Sequence, residues 1–473
     1  MTATREHFSS RIGFVLAAAG SAVGIGNLVG FPVNAAKNGG GAFLILYALF
    51  VFLICLPVMI AEMAVGRKTA KEPVGAYKSL SHNSKFWGAA GFLGVITPFM
   101  ITVFYMVITV WIFGYLVLTL TGNLDYLASE GFGEFINSPY LFVAMAFVAG
   151  IINFILVAGV KDGIEKAAKT LMPALFIMLI IMVAFVLTLD NAWSGVTFFL
   201  IPDISKITPG VVNGALSQAF FSLSLGMGIL ITYGSYIDNK TNIPNSAKLV
   251  AFTDTSVAFV AGLMILPAVY SFNPNINPQE LSDRSVSLIF TFLPKIFLAL
   301  QISIGYLGAS IVAAFFFLLV FFAAITSLVS IIEVPVSYLV TEKKHTRKKA
   351  LSILLMTAGV LTVFATLSFG MVAFFTEFTT YGGQTKSFFD VVYDIFYDTI
   401  LPLNGFLLCM LVSYRWKKKN LSDHLSNGNV NYKGSWVEKY INFSLGTFIP
   451  VIVLIIFINT IAQKFFSVSL FGF

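Results

Sequence analysis

The chain has 473 residues, of which 58% are hydrophobic and 11% charged, and its mean hydropathy is +0.88. No soluble protein of this length can bury so much apolar surface, so the composition excludes a soluble globular protein and predicts a polytopic membrane protein. The formal net charge of +7 would suit a nucleic-acid partner only if the basic residues were clustered on one surface. The two cysteines lie in apolar runs and the four histidines are scattered, so neither a disulfide framework nor a metal site of these residues is predicted.

The first apolar run begins at Ile12 and is interrupted between Gly20 and Pro32. Four glycines in this stretch and the proline at its end weaken a helix there. Because lipid cannot hydrogen-bond an opened backbone, such a break is tolerated where the freed groups face a polar ligand or a water-filled cavity. The stretch therefore favours a binding site, with a helix kinked for packing as the alternative.

Eleven membrane spans are predicted, at about 20 apolar residues each. They cover residues 12–37, 42–66, 88–121, 140–158, 166–189, 212–237, 247–271, 305–340, 350–370, 388–414 and 440–464. The apolar segment 285–302 contains Pro294 and is bracketed by polar residues, so it is expected to be an external loop helix.

The basic residues predict the orientation of these spans. With the amino terminus in the cytoplasm, 23 of the 29 lysines and arginines fall on the cytoplasmic side. This positive-inside bias predicts a cytoplasmic amino terminus and an external carboxyl terminus. It also explains the net charge, so no nucleic-acid partner is expected.

A second interruption lies in the sixth span, where residues 219–228 combine glycines with hydroxyl side chains. The first span runs outward and the sixth runs inward. Two broken helices at matching positions of inverted halves point to the site of a secondary transporter, whereas two unrelated kinks are the alternative. The predicted organisation is a single polytopic domain, 1–473, with repeats at about 12–189 and 212–414 and an extra helix at about 440–464.

Several motifs carry a family resemblance. Four short segments resemble the first helix of the neurotransmitter:sodium symporter family, namely residues 5–7, 20–27, 31–32 and 38–43. Residues 221–226 resemble its sixth helix, and residues 326–327 resemble its eighth. The resemblance implies an all-α membrane protein with an inverted five-helix repeat and discontinuous helices 1 and 6. Eleven spans and short termini are similar to the prokaryotic amino-acid transporter branch.

The resemblance also implies a substrate site for a small amino acid. Tyr105 and the helix that begins near Gly26 would bind the carboxylate, and freed carbonyls of both broken helices would bind the ammonium. Gly24 leaves room for that carboxylate, because monoamine carriers of the family have an acidic residue there. The substrate-binding residues implied are Ala22, Gly24, Gly26, Ile101, Tyr105, Phe221, Ser222, Ser224, Met227, Ser327 and Ile331.

Two sodium ions are expected by the same resemblance, since sodium prefers oxygen ligands. The first site would use Ala22, Asn27, Ser222 and Asp254 with the substrate carboxylate, and the second would use Gly20, Val23, Ala323, Thr326 and Ser327. Asp254 also stands out without the resemblance, because a carboxylate inside an apolar span is costly and usually functional. A structural carboxyl group hydrogen-bonded to its neighbours is the alternative for Asp254.

Two gates are expected by resemblance, and both depart from the family pattern. The outer gate would consist of Tyr105 and Phe221, because Gly30 stands where the family has an arginine. The acidic partner of that arginine would map near Tyr393 or Asp394.

The inner gate would use Arg5 and Tyr236. Thr341 stands where the family has the gate aspartate, and Glu342 lies beside it, so the acid that pairs with Arg5 stays open. Ser21 is a further departure, since some relatives have asparagine there.

A last comparison concerns chloride. Tyr47, Gln218 and Ser222 match residues that hold chloride in chloride-dependent relatives, but Asp254 replaces an asparagine and Ala258 a serine. A fixed carboxylate would neutralise sodium and repel chloride, so chloride-independent transport is predicted.

The predicted function is sodium-coupled symport of a hydrophobic L-amino acid across the inner cell membrane by alternating access. A carrier of another small amino or imino compound and a transporter-like sensor stay open as alternatives. The partners expected are the amino acid, sodium and the lipid bilayer. An enzyme is not expected, because the sequence shows no nucleophile–base or metal constellation.

Overall fold

The computed structural model describes residues 6–129, 131–272, 288–468 and 470. The chain begins with a bent pair of helices, α1 (Arg11–Ala22) and α2 (Gly26–Lys37), whose axes differ by 54°. Further helices, in chain order, are α3 (Gly41–Thr69), α4 (Pro73–Leu80), α5 (Lys85–Leu120), α6 (Leu124–Ala128), α7 (Phe132–Phe135), α8 (Tyr140–Val157), α9 (Val160–Val186), α10 (Ala192–Leu200), α11 (Pro209–Ser222), α12 (Ile229–Gly234), α13 (Ile243–Phe272), α14 (Phe290–Ala299), α15 (Gln301–Thr341), α16 (Arg347–Leu367), α17 (Ala373–Thr376), α18 (Phe388–Ser426) and α19 (Trp436–Phe466). The strands β1 (Thr379–Tyr381) and β2 (Gln384–Lys386) form an antiparallel hairpin between α17 and α18.

The described helices agree with an all-α membrane protein. Nine of them are long and apolar enough to cross a membrane, and α1 together with α2 would make a tenth. The predicted span 212–237 is divided between α11 and α12, with residues 223–228 non-helical, so the count of eleven spans stays a prediction. The described part of the predicted loop helix at 285–302 contains α14, and its first residues lie outside the described ranges.

Local sequence explains where many helices begin. Ser10, Thr208, Thr346 and Ser435 each precede a helix, and each side chain accepts a hydrogen bond from a backbone N–H of the first turn. These caps satisfy donors that a helix cannot pair internally. Pro209 follows one of the caps at the first helical position, where its missing N–H costs nothing.

The bent pair lies at the centre of the helix packing. Helix α1 packs against α9, α13 and α15, and α2 packs against α11 and α13. On another side of the molecule α3 and α12 approach so closely that glycine is required. A Cβ atom at Gly234 would lie 2.6 Å from the carbonyl oxygen of Met63, and one at Gly66 would overlap the carbonyl of Ile231. Small residues allow such backbone contact between membrane helices.

One buried acid outside the spans makes stability depend on pH. The Glu72 side chain caps α4 by accepting hydrogen bonds from the N–H groups of Val74 and Gly75, each at 2.8 Å. Burial, with a smaller contribution from nearby Glu342, raises the pKa of Glu72 from 4.5 to about 7, although the two backbone donors oppose the rise. Between these two values the folded protein binds more protons here than the unfolded chain, so its stability falls as pH rises.

We therefore expect the melting temperature of the purified chain to decrease as the pH is raised from about 5 to about 8. Glu72→Gln should make this decrease smaller. Thermal unfolding in detergent at both pH values measures the two slopes. Glu342→Gln is the control, since it removes only the smaller cause. Equal slopes for wild type and Glu72→Gln would contradict the assignment.

Candidate functional site

At the break between α1 and α2, backbone N–H groups are paired with side chains. The N–H of Gly24 donates to the Asn27 Oδ1 at 3.2 Å, and the N–H of Ile25 donates to the Tyr105 hydroxyl at 3.2 Å. Gly24 has no room for a side chain, because a Cβ there would lie 2.6 Å from the Tyr105 hydroxyl oxygen and 2.7 Å from the Ser327 Oγ. Any residue larger than glycine at position 24 would therefore push these two hydroxyl groups away from the break.

The break between α11 and α12 is held in the same way. The N–H of Gly226 donates to the Glu62 Oε1 at 2.9 Å, and its carbonyl accepts from the Asn404 Nδ2 at 2.9 Å. Gly226 has φ of +77°, a conformation that favours glycine. The Ser224 hydroxyl donates to the Ser21 carbonyl at 3.2 Å and so joins the two breaks.

A cavity of about 370 Å³ lies where the two breaks meet. This volume is in the range of small-molecule sites. All eleven residues that the sequence analysis assigned to the substrate line it, namely Ala22, Gly24, Gly26, Ile101, Tyr105, Phe221, Ser222, Ser224, Met227, Ser327 and Ile331. The structure thus brings these residues together, and their roles stay predictions.

Aromatic rings cover the cavity toward the end predicted to be external, but in a different arrangement from the expected gate. The Phe221 ring stacks on Tyr397, with centroids 4.8 Å apart and planes at 22°. Tyr397 in turn contacts Phe104 at 5.6 Å and Tyr393 at 4.9 Å. Among the described residues the Phe221 ring contacts Phe220 and Tyr397, and the Tyr105 hydroxyl accepts from Ile25.

Asp254 lies fully buried beside the break, within a cluster of donors. Its carboxylate accepts from the Asn27 Nδ2 at 2.7 Å, the Tyr47 hydroxyl at 3.1 Å and the Ser222 hydroxyl at 2.9 Å. An ionised carboxylate accepts only, so these donors suit the charged form. Gln218 does not join the cluster, because its side chain pairs with Asn34 and with the Gly26 carbonyl.

A second set of oxygens surrounds the Ser327 hydroxyl. The carbonyl oxygens of Gly20, Ser21 and Val23 lie 3.3–3.4 Å from the Ser327 Oγ, and the Thr326 hydroxyl donates to the Ala323 carbonyl at 3.0 Å. Carbonyl and hydroxyl oxygens are the type of ligand that hard cations prefer. The structure thus brings the residues of the predicted second sodium site together, and their role stays a prediction. The described residues contain no cluster of three or more His, Cys, Asp or Glu that could hold a metal.

The opposite end of the cavity is closed by an ion pair that the sequence analysis did not foresee. Glu333, which is fully buried, accepts from Arg347 at 2.6 and 3.1 Å and from the Tyr236 hydroxyl at 2.8 Å. Arg5, the expected gate residue, lies outside the described residues. The Thr341 hydroxyl donates to the Ser337 carbonyl of its own helix, and the acid that pairs with Arg5 stays open.

The segment that precedes α1 adds to this closure. Phe8 packs against Tyr233, with ring centroids 5.5 Å apart, and its N–H donates to the Tyr236 carbonyl at 3.1 Å. The Glu6 Oε2 accepts from the Val160 N–H at 2.7 Å and lies 3.4 Å from the Arg347 Nη1. These contacts join the segment to α9, α12 and α16.

Three acids near the site were not predicted from the sequence, although a signal was available. Glu62, Glu333 and Asp398 all lie within apolar spans, Glu62 accepts from Gly226 at the second break, and Asp398 lines the cavity. An ionisable residue in such a span marks a functional site by default. The same signal predicts a functional role for Asp254.

Comparison with known proteins now identifies the chain's family. The model of the sodium:neurotransmitter symporter family matches residues 5–139 and 135–470. The chain belongs to the sodium:neurotransmitter symporter family. This family consists of secondary transporters, not enzymes, so this symporter is a multi-pass, sodium-dependent membrane transporter.

Relatives of this symporter include bacterial and archaeal proteins. It is 34% identical to the uncharacterized sodium-dependent transporter YhdH of Bacillus subtilis, over 96% of this chain and 97% of the relative. It is 33% identical to the uncharacterized sodium-dependent transporter MJ1319 of Methanocaldococcus jannaschii, over 91% of this chain and 86% of the relative. The crystal structure of MhsT in complex with L-phenylalanine is similar over 96% of this chain and 99% of MhsT, with 38% identity and a TM-score of 0.83.

The Glu333–Arg347 pair gives a prediction about closure. Removing one partner of a buried ion pair costs about 3–5 kcal/mol, so Glu333→Gln should favour states in which this end is open. We expect faster labelling of a cysteine placed at Ser337, a buried position one turn along the same helix. Glu377→Gln is the control, because it removes an exposed carboxylate between α17 and β1 that has no ion pair among the described residues. Equal labelling in both variants would show that the pair does not hold the closure.

Proposed function

We propose that this symporter couples the entry of sodium to the uptake of hydrophobic L-amino acids by alternating access. The observation that carries the proposal is the cavity at the meeting point of the two breaks, which combines backbone groups of the breaks with an apolar wall. A sodium-dependent carrier needs a site whose polar groups can bind both a zwitterion and a cation. Open backbone at membrane depth is tolerated only where it lines such a cavity.

The carboxylate of the substrate would lie at the start of α2. The space beside Gly26 is open, since no atom outside its own helix lies within 4 Å of a Cβ placed there. Backbone N–H groups and the positive end of the helix dipole favour an anion at this point. The Tyr105 hydroxyl would donate a further hydrogen bond, and the carbonyls of Ala22, Phe221 and Ser222 would bind the ammonium.

The substrate side chain would contact the apolar part of the cavity wall. Ile101, Met227 and Ile331 are buried there, and the thioether of Met227 can adapt to side chains of different shape. A charged side chain would be buried without a partner, at high cost. The L-phenylalanine bound to the similar protein MhsT supports a large apolar substrate.

Two sodium ions would accompany the substrate. The first would bind next to Asp254, with Ala22, Asn27 and Ser222 as further ligands and the substrate carboxylate completing the set. The second would bind in the oxygen cage of Gly20, Val23, Ala323, Thr326 and Ser327. Sharing the first ion between protein and substrate would couple the two binding equilibria.

Transport would be independent of chloride. The Asp254 carboxylate already provides a negative charge beside the first sodium site, and its donors Tyr47 and Ser222 are engaged with it. Gln218, the third residue of the chloride motif, points to Asn34 and Gly26. A chloride ion at this position would face a like charge in a region of low dielectric.

The arrangement in the membrane completes the proposal. The single domain would consist of two inverted repeats, at about residues 12–189 and 212–414, followed by an extra helix at about 440–464. The amino terminus would be in the cytoplasm and the carboxyl terminus outside the inner membrane. The aromatic cover of the cavity would then face outward and the Glu333–Arg347 pair inward.

Sodium coupling is tested by binding and by uptake. We expect L-phenylalanine and L-leucine to bind at least tenfold more tightly in sodium than in potassium, and sodium to bind more tightly in their presence by the same factor. Proteoliposomes with an imposed sodium gradient should accumulate the bound amino acid. Equal affinities in the two salts would contradict coupling, and binding without uptake would indicate a sensor. Taurine and glycine in the binding panel test the alternative of another small amino compound.

Chloride independence is tested at Asp254. Uptake by the wild type should be equal in chloride and in gluconate, whereas Asp254→Asn should lose most uptake in gluconate because the fixed charge is gone. Chloride should restore part of the loss in Asp254→Asn. Strong stimulation of the wild type by chloride would refute the proposal, and full uptake by Asp254→Asn in gluconate would show that another group supplies the charge.

A further inference from the structure

Asp398 is an acid that lies next to the aromatic cover of the cavity. It follows Tyr397 directly in the chain, in the π-helical part of α18 that spans Tyr393–Ile400. Both residues line the cavity, and Tyr397 stacks on Phe221. Among the described residues that line the cavity, Asp398 is the single carboxylate and none is a lysine or arginine. Its counter-ion must therefore come from outside the cavity wall.

That counter-ion is Lys464, in the last turn of α19. The Lys464 Nζ lies 2.6 Å from the Asp398 Oδ2 and 2.7 Å from the Asp394 Oδ1. Asp394 has two further partners, the Lys386 Nζ at 3.5 Å and the Tyr381 hydroxyl at 2.9 Å. The cluster thus contains two carboxylates and two ammonium groups, and Lys464 is the member that joins α19 to Asp398.

The β1–β2 hairpin fixes the backbone that carries Lys464. The N–H of Gly382 donates to the Phe465 carbonyl at 3.2 Å, and the Ser467 hydroxyl donates to the Gly382 carbonyl at 2.7 Å. The ring of Tyr381 packs on Phe465, with centroids 4.9 Å apart. Gly382, with φ of +58°, allows this approach, since a Cβ there would overlap the Lys464 carbonyl. The contacts with the hairpin therefore fix the position of the backbone that carries the Lys464 ammonium group.

Among the described residues that line the opposite wall of the cavity, none is a lysine or arginine. Gly30 faces the cavity from α2 without a side chain, and the nearest atom to a Cβ placed there would be the Gln218 Oε1 at 3.9 Å. Gly30 thus provides no partner for Asp398. Tyr397 and Asp398 lie on one turn of α18. Among the ion pairs of the described residues, only the pair of Asp398 with Lys464 of α19 restrains this turn directly.

We infer that Lys464 is a positioning residue that holds the Tyr397 turn over the cavity through its ion pair with Asp398, and that this slows the escape of bound substrate toward the outer end. The pair lies at the rim, with the Lys464 side chain 36% exposed and the Asp398 side chain 16% exposed. Breaking the pair would leave the largely buried Asp398 without its counter-ion, and this cost opposes opening. Opening of the cavity would then require separation of α18 from the last helix.

The test measures release and access in the full-length purified chain. Lys464→Gln should raise the dissociation rate of radiolabelled L-phenylalanine in sodium about tenfold, whereas Lys464→Arg should stay within about threefold of the wild type. Lys386→Gln is the matched control, because it removes the same charge from the same cluster but its ion pair is with Asp394 and not with Asp398. Asp398→Asn breaks the pair from its other side, and the double variant with Lys464→Gln should release no faster than the faster single variant.

A readout that needs no substrate separates this inference from the proposed function, on which it rests for the identity of the bound molecule. In a chain whose two cysteines, Cys55 and Cys409, are replaced by alanine, a cysteine at Ile101 in the cavity wall reports access from the outer end. Labelling by a water-soluble thiol reagent should be about tenfold faster with Lys464→Gln than without it. Failure of the wild type to bind any amino acid would refute the proposed function and leave this labelling as the test.

Three outcomes would overturn the inference. Equal labelling rates with and without Lys464→Gln would show that the pair does not hold the cover. Equal effects of Lys464→Gln and Lys386→Gln would show that net charge alone matters. A lowered melting temperature of Lys464→Gln with unchanged release and labelling would show a purely structural role. Should Lys464→Gln fail to fold, Asp398→Asn with Lys386→Gln as control decides by the same measurements.

Discussion

The structure depends on the requirement that every backbone group opened inside the membrane finds a partner. Lipid provides none, so the two helix breaks persist only because side chains of other helices reach them. Tyr105 and Asn27 satisfy the first break, and Glu62 and Asn404 the second. These contacts fix the positions of α3, α5 and α18 relative to the breaks. The binding cavity is thus a consequence of how the chain compensates its own interrupted helices.

Charge in the membrane region follows the same logic. Asp254 is surrounded by donors, Glu333 is paired with Arg347, and Asp398 is paired with Lys464. Each carboxylate lies at a different level of the cavity: one beside the proposed sodium site, one at the proposed inner closure and one at the outer rim. Since an unpaired charge at such depth is costly, each arrangement restrains the helices that supply the partners. Rearrangement of those helices therefore requires exchange of partners rather than simple loss.

Much of the fold and part of the site could be predicted from the sequence. The first break was visible because glycines and Pro32 interrupt an apolar run, and Asp254 was visible because it is an acid in such a run. The pairs Glu333–Arg347 and Asp398–Lys464 were not predicted, because each joins residues whose proximity depends on how separate helices pack. The stacking of Phe221 on Tyr397 has the same origin. Sequence spacing defines the face of one helix, but not which residue of another helix lies opposite.

The segment that precedes α1 has a consequence for leakage through the protein. Within five residues, Glu6 contacts α9 and Arg347, Phe8 contacts the residues that follow α12, and Ser9 donates to Glu165 of α9. A short segment that is held by several contacts cannot move far from one of them without straining the others. Detachment is therefore expected to be cooperative, with few partly detached forms. Uncoupled ion flow should then be small, because partly open forms are the ones that let ions pass without substrate.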